Sequence, residues 1–248
     1  MIKLPRKIGL IGGLSYPSTI TYYSRLNQLV NQRLGRAHSA RIVLESLDFQ
    51  PIAQQLATGD DLAVIGTLQA AARRLVEAGA EVVAMCCNTV HKFAPAIEAG
   101  LRVPLINICQ CTAQHCAEHG FRQVALMGSA FTMEERFYRD PFARFGVEAV
   151  VPGAADRHFM QRAIESELSV GNVPLSTRER FLAVARELCG RGAEALVLAC
   201  TEIPLLLRPD DVDVPVVDTV DLHCAAIVQA AFAQPLPLER KVSCAVPS

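Results

Sequence analysis

Short apolar runs alternate with longer stretches of helical periodicity along almost the whole chain. The runs rich in aliphatic and β-branched residues, which we predict to be strands, are 7–11, 41–47, 81–85, 105–108, 123–127, 148–151, 195–198 and 214–217. Between these runs, apolar residues recur with the period of one helix face. Strands that alternate with helices in this way are typical of α/β units built around a parallel sheet.

The intervening segments also carry signals for where helices begin. The first predicted helix has an apolar face made of Ile20, Tyr23, Leu26, Leu29, Val30 and Leu34. A second helix is predicted over 62–76, with Asp60 or Asp61 as its cap. The pattern Thr132-x-x-Glu135 is that of a capping box, so a further helix is expected to open at Thr132.

Three segments of the first half recur in the second half in the same order and at nearly constant spacing. Residues 8–13 resemble 124–129, residues 87–89 resemble 200–202, and residues 103–107 resemble 214–218. Such collinear repeats indicate a duplicated α/β lobe. We therefore expect two similar lobes, each a mainly parallel sheet flanked by helices, related by pseudo-twofold symmetry. The first lobe is predicted to comprise 1–108 plus 215–248, the second 109–214, with the active site in the cleft between them.

Composition and charge restrict the function further. The 248 residues are 51% hydrophobic and 20% charged, with a net charge of −1, which excludes a disordered chain. A nearly neutral chain lacks the basic surface expected for binding nucleic acid or anionic lipid. No apolar run reaches the roughly 18–20 residues that a membrane span needs, and no secretory signal is recognisable. These features predict a cytoplasmic globular protein that acts on a small molecule.

The nine cysteines do not form a recognisable disulfide or zinc framework. The nearest cluster with metal-binding side chains consists of Cys109, Cys111, His115 and His119, and we interpret its histidines as solvated. No metal site is predicted.

Cys87 and Cys200 stand out because each follows a predicted strand and precedes a predicted helix in its own half. Unpaired N–H groups and the helix dipole stabilise a thiolate at such a place, and the same groups hold a carboxylate. Two thiols facing each other across one carbon could invert that carbon, one removing a proton and the other delivering one. The alternative is that both are ordinary buried cysteines, as we expect for Cys86. For His91, helix packing and a supporting role for Cys87 are both open.

Three segments resemble the aspartate/glutamate racemase family: Gly-Gly-Leu-Ser-Tyr-Pro-Ser-Thr at 12–19, Cys-Asn-Thr-Val-His at 87–91 and Cys-Thr-Glu-Ile at 200–203. The resemblance implies an amino-acid racemase with two similar α/β lobes and no cofactor, in which Cys87 and Cys200 are the catalytic bases. The substrate contacts that it implies are Leu14, Ser15, Asn88, Thr89, Ser129, Thr132, Thr201 and Glu202.

The chain departs from the family where acidic substrates are recognised. Leu56 and Phe159 align with positions that are polar or cationic in members acting on aspartate or glutamate, so these two residues are expected to contact a non-acidic side chain. Arg157, His158 or Arg162 could supply the missing charge if the alignment is shifted by a turn.

Two further functions stay open at this point. One is related single-cysteine chemistry, as in maleate isomerases, hydantoin racemases or arylmalonate decarboxylases. The other is a non-enzymatic protein that binds a small carboxylate. Symmetric dimers are common among proteins of this kind, so a homodimer is the expected assembly.

Overall fold

The computed structural model describes residues 5–233 and contains two four-stranded parallel sheets. The first sheet has the order β2-β1-β3-β4, and its strands are β1 Ile8–Gly12, β2 Ile42–Ser46, β3 Val82–Met85 and β4 Leu105–Ile106. The second has the order β6-β5-β7-β8, and its strands are β5 Gln123–Gly128, β6 Glu148–Val150, β7 Ala195–Ala199 and β8 Val216–Asp218. The identical strand order confirms the predicted pair of similar α/β lobes.

Ten α-helices connect these strands within the described residues. They are α1 Tyr16–Leu34, α2 Phe49–Thr58, α3 Asp61–Glu77, α4 Ala94–Glu98, α5 Ile108–Glu118, α6 Ala130–Glu134, α7 Arg136–Arg144, α8 Ala154–Ser166, α9 Leu175–Gly190 and α10 Thr219–Phe232. A 3-10 turn at Thr89–Phe93 follows β3, two at Ile203–Leu205 and Pro209–Asp211 follow β7, and another lies at Leu168–Val170.

Each sheet is buried on both faces, which is why its central strands read as uninterrupted apolar runs. In the first sheet, Ile11 and Met85 pack on α3, whereas Leu10 and Ala84 pack on α1 and α10. In the second sheet, Met127 and Leu198 pack on α8 and α9, whereas Leu126 and Val197 pack on α5 and α7. The two lobes therefore have separate cores of the same layered design.

The last strand and the last helix belong to different lobes. β8 pairs with β7 of the second sheet, but α10 packs against α1 and buries Val220, Ile227 and other apolar residues in the core of the first lobe. The division into a first lobe of 1–108 plus 215–248 and a second lobe of 109–214 stays a prediction. It differs from the sheets at β8, which it places in the first lobe but which pairs in the second sheet. Because α10 also contacts α5, this helix lies between the two lobes.

Near its N-terminus, helix α1 buries other residues than the apolar pattern indicates. Leu26 and Val30 are buried as expected, but Ile20 is 61% exposed and Tyr23 is 55% exposed. The buried face includes Thr19, whose hydroxyl accepts a hydrogen bond from a backbone N–H of the preceding turn at 2.8 Å. A pattern of apolar residues alone does not reveal a polar side chain with a buried partner.

The expected capping box at Thr132 and Glu135 is also wrong. Ser129 is the N-cap of α6, and its hydroxyl accepts from the N–H of Thr132 at 3.3 Å. Thr132 therefore lies inside the helix and Glu135 follows its end. The cap at Asp60 of α3 is confirmed, since its side chain accepts from the N–H of Ala63.

Gly13 shapes the turn between β1 and α1. Its φ of +74° lies in the left-handed region, and a Cβ at this position would overlap the backbone of Leu47. The N–H of Leu47 donates to the carbonyl of Gly12 at 3.0 Å, so moving the two backbone segments apart would break this hydrogen bond. Only glycine fits here without strain.

Gly13→Ala is therefore expected to lower the free energy of unfolding by more than about 2 kcal/mol, because a positive φ and a backbone overlap act together. Gly66→Ala is the matched control, since Gly66 is exposed inside α3 with open space around its Cα. It should stabilise the protein by up to about 1 kcal/mol. Urea unfolding checks both variants, and equal effects would contradict the account of Gly13.

Candidate active site

Cys87 and Cys200 occupy equivalent places in the two lobes. Cys87 follows β3 and Cys200 follows β7, and these strands are third in the order of their own sheets. In α/β proteins the carboxyl ends of parallel strands are where ligands bind. Cys87 is half-buried, and Cys200 is 8% exposed.

Two hydrogen bonds join the strand-end loops across the lobes. The hydroxyl of Ser15, after β1, donates to Oε1 of Glu202, after β7, at 3.0 Å. The hydroxyls of Thr89, after β3, and Ser129, after β5, lie 3.2 Å apart. Four loops that carry predicted site residues therefore meet in one place, two from each lobe.

Glu202 has the most connected side chain of this region. Besides Ser15, its carboxylate accepts from Thr201 Oγ1 at 2.7 Å and from Cys200 Sγ at 3.0 Å. The side chain is 8% exposed, and none of the ion pairs among residues 5–233 involves it. A buried carboxylate that has hydroxyl and thiol donors but no cation is an anionic site ready for a positively charged group.

The two thiols have different electrostatic surroundings. Burial raises the pKa of Cys87, but the N–H groups of Val90 and Thr89 and the Thr89 hydroxyl oppose this, while the charge of Glu202 adds to it. Burial raises the pKa of Cys200 well above its usual value, and both the charge of Glu202 and the hydrogen bond to its carboxylate add to this, while the backbone N–H of Glu202 opposes it. Both thiols are therefore protonated at neutral pH, and Cys87 is faced by more hydrogen-bond donors than Cys200.

Ser15 holds its position at the cost of backbone strain. Its φ is +90°, an unusual value for a residue with a side chain. It precedes α1 without capping it, and its hydroxyl is directed at Glu202 instead. Strained residues of this kind cluster at functional sites.

Of the predicted substrate contacts, Asn88 and Thr132 face the protein interior. Asn88 is 5% exposed, and its Oδ1 accepts from the Tyr138 hydroxyl at 3.0 Å. Thr219, at the start of α10, lies within 3.4 Å of its amide nitrogen. Thr132 is fully buried, with its hydroxyl 2.9 Å from that of Ser129. These hydrogen bonds fix the segments on which Asn88 and Thr132 lie, and their contacts with a substrate stay a prediction.

Tyr138 and Thr219 were not predicted from the sequence. Both belong to a buried polar network that joins the loop after β3 to the second lobe and to α10. Gln161 was not predicted either. Its side chain accepts from the N–H of Ala130 at 2.7 Å and so joins α8 to the start of α6. No local motif marks these residues, because their partners are distant in sequence.

The three apolar residues of the predicted site lie in the cores that adjoin it. Leu14 and Leu56 belong to the same buried cluster of the first lobe, against which Cys87 and Phe131 pack. Phe159, on α8, is half-buried and packs at the edge of the cluster that contains Cys200, with its ring 6.0 Å from that of Phe181. Whether Leu56 and Phe159 contact a substrate stays a prediction.

A separate cavity of about 390 Å³ lies behind the Cys200 loop. Its walls include Leu207, Arg208 and Asp218, but neither Cys87 nor Cys200. Within residues 5–233, His, Cys, Asp and Glu side chains form no group of three or more that could hold a metal ion. The same part of the chain contains no helix both long and apolar enough to cross a membrane.

A buried pair of histidines lies beside the Cys87 loop. His91 and His223 have exposures of 2% and 0%, and their rings stand edge to face with centroids 5.4 Å apart. Burial lowers the pKa of His91 to about 4. Burial, and next the charge of His91, lower the pKa of His223 to about 3. Both rings are therefore neutral near neutral pH.

Comparison with known proteins gives a consistent result. The family model described as Asp/Glu/hydantoin racemase matches residues 11–227. A proposed Asp/Glu racemase from Yersinia pestis has a TM-score of 0.87 and 39% identity over 92% of this chain and 100% of its own. An aspartate racemase homologue from Pyrococcus horikoshii has a TM-score of 0.80 and 29% identity, and the match covers 91% of this chain and 99% of the homologue.

A third relative is more distant. The broad specificity amino-acid racemase RacX of Bacillus subtilis is 21% identical over 148 residues, which are 59% of this chain and 63% of RacX. The chain thus spans less than two thirds of the length of this relative.

The histidine pair predicts that stability falls in mild acid. Below the ordinary histidine pKa of 6.5, both histidines bind a proton in the unfolded chain but stay neutral in the folded protein. The free energy of unfolding therefore decreases as the pH falls toward 4. Between pH 7 and pH 5 each of the two histidines should remove about 2 kcal/mol.

Urea unfolding at both pH values measures this difference in stability. His223→Gln should reduce the difference, whereas His158→Gln, at an exposed position, should leave it unchanged. An undiminished pH dependence in His223→Gln would contradict the assignment.

Proposed function

Because the chain belongs to the Asp/Glu/hydantoin racemase family, we propose that it is a cofactor-independent amino-acid racemase in which Cys87 and Cys200 invert the α-carbon. The observation that supports this most is the equivalence of the two thiols. Each follows the third strand of its own sheet, and the loops around them are hydrogen-bonded across the lobes.

The proposed reaction moves one proton at each thiol. A thiolate on one face of the α-carbon takes the α-proton, and the electron pair stays on the carbon, stabilised by the adjacent carboxylate. The thiol on the opposite face then donates its proton to that carbon. The product has the inverted configuration, and the two cysteines have exchanged protonation states, so the same steps in the opposite order reverse the reaction.

Glu202 is proposed to bind the substrate ammonium. Its carboxylate is buried, has no cationic partner among the described residues and adjoins Cys200. A bound ammonium would offset the negative charge that holds the pKa of Cys200 high. Substrate binding would thus favour ionisation of the thiol that has to react.

The α-carboxylate is proposed to lie against the hydroxyls of Thr89 and Ser129. These two side chains come from different lobes and meet at 3.2 Å. Ser129 is also the N-cap of α6. The N–H groups of Thr89 and Val90 lie next to the Thr89 hydroxyl and face Cys87. Hydroxyl and N–H donors of this kind suit a carboxylate.

The side-chain specificity is proposed to extend beyond aspartate and glutamate. Leu56 and Phe159 offer apolar surface, and a buried acidic side chain without a charged partner is costly. The broad specificity described for RacX agrees with this proposal. A cytoplasmic location and a homodimer remain predictions from the sequence.

Single-cysteine chemistry is a second candidate, favoured by the unequal surroundings of the two thiols. Cys200 donates to a carboxylate, whereas Cys87 is faced by N–H groups. The family description also includes hydantoin racemase, so a substrate screen should contain hydantoins as well as both enantiomers of each amino acid.

Replacing either cysteine should abolish racemisation. Cys87→Ala and Cys200→Ala are each expected to reduce the rate of loss of optical activity at least 100-fold, since each removes an acid–base group. Cys86→Ala is the matched control, because Cys86 is buried on the other side of β3 against α1 and α10 and should not be needed. Chiral chromatography of the reaction mixtures measures the rates. Full activity in either of the first two variants would refute the two-base proposal.

Glu202→Gln should change binding and thiol reactivity in opposite directions. Loss of the ammonium partner is expected to raise KM about tenfold or more. At the same time, removing the negative charge should lower the pKa of Cys200 and speed its alkylation by iodoacetamide. Glu187→Gln, which alters an exposed ion pair, is the control. An unchanged KM would show that Glu202 does not bind the ammonium.

A further inference from the structure

In the turn after Cys87, one carbonyl has no backbone N–H donor among the described residues. Residues Thr89–Phe93 form a 3-10 turn, in which the N–H of His91 bonds to the carbonyl of Asn88 at 3.1 Å. In an α-helix this N–H would instead bond to the carbonyl of Cys87. The tighter turn therefore leaves the Cys87 carbonyl outside the backbone hydrogen bonds.

The side chain of His91 provides the missing donor. Its Nδ1 lies 2.7 Å from the Cys87 carbonyl oxygen. Since a carbonyl oxygen only accepts, Nδ1 must have the proton, and Nε2 is then a bare acceptor. Nε2 is buried and has no hydrogen-bond partner among the described residues. Leaving a buried acceptor unpaired is unfavourable, so the bond at Nδ1, and not a contact of Nε2, holds the ring in this orientation.

The hydrogen bond from His91 lies in the same turn as the donors that face the sulfur of Cys87. The N–H groups of Val90 and Thr89 and the Thr89 hydroxyl face the sulfur and favour its thiolate. These N–H groups belong to the first turn after Cys87, and the bond from His91 to the Cys87 carbonyl spans the same turn. Fixing both ends of the turn keeps its donors directed at the sulfur.

We propose that His91 is a positioning residue for Cys87, whose Nδ1–H holds the Cys87 carbonyl so that the N–H groups of Thr89 and Val90 stay aimed at the sulfur. The catalytic consequence rests on the proposed racemase function, but the effect on the thiol does not. The second lobe has no such device. Pro204 stands in the place of His91 in the corresponding turn after Cys200, and proline has no side-chain donor.

The test compares two substitutions of His91 in the intact protein. His91→Leu keeps much of the side-chain volume but removes the donor, and His91→Asn keeps a donor near the position of Nδ1. Alkylation of Cys87 and Cys200 by iodoacetamide is followed from pH 6 to pH 10, with each site quantified by peptide mass spectrometry. Without the donor, the pKa of Cys87 should rise by about one unit, so its alkylation at pH 7 should slow about tenfold.

The Asn variant should restore most of the Cys87 rate, and Cys200 should react like wild type in both variants. An unchanged Cys87 profile in a folded His91→Leu protein would overturn the proposal, as would equal slowing of both cysteines. These measurements need no substrate. A shifted Cys87 profile in a protein without racemase activity would therefore refute the proposed function and retain the positioning role.

A second measurement reads the tautomer of the His91 ring directly in the wild-type protein. In histidine-labelled wild-type protein, ¹⁵N NMR should show the ring of His91 protonated at Nδ1 and bare at Nε2, with the signal assigned by its loss in His91→Asn. A ring protonated at Nε2 would leave the Cys87 carbonyl without its donor and would contradict the proposal. If the protein is a racemase, kcat/KM of His91→Leu should also fall, with its pH profile shifted toward higher pH.

Discussion

The buried carboxylate of Glu202 is the group on which the arrangement of the site depends. It accepts hydrogen bonds from Ser15 of the other lobe and from Cys200 of its own, so one side chain joins the lobes and contacts the sulfur of Cys200. Because it has no cationic partner among the described residues, its charge is compensated only by hydroxyl and thiol donors. A substrate ammonium would complete this set, and binding would be coupled to thiol ionisation through the same atoms.

The two lobes are alike in topology but not in chemistry. Repeated strand order brings Cys87 and Cys200 to equivalent strand ends, which is what a reaction on two faces of one carbon requires. The surroundings of the sulfurs then differ. N–H groups, held by a turn that His91 closes, face Cys87, whereas a carboxylate faces Cys200. Each half of the site thus has its own means of controlling a thiol proton.

The sequence predicts the strands and the repeated lobes well because buried parallel strands are continuous apolar runs. It fails where polar groups are buried with distant partners. Thr19 occupies the buried face of α1, where apolar spacing places Ile20, and Tyr138 binds Asn88 without any local motif. The separation of β8 from α10 likewise depends on tertiary packing. The motifs around the cysteines indicate a candidate site, but only the fold shows which polar side chains face inward.

The most direct test of the central claim is the fate of solvent deuterium at the α-carbon early in turnover in D2O. If one thiol removes the proton and the other delivers a different one, the product enantiomer contains deuterium from the start. The recovered substrate should retain its original hydrogen. Chiral separation followed by mass spectrometry measures both. Deuterium entering substrate and product at equal rates would indicate a single base, and inversion without any deuterium would contradict thiol-mediated proton exchange altogether.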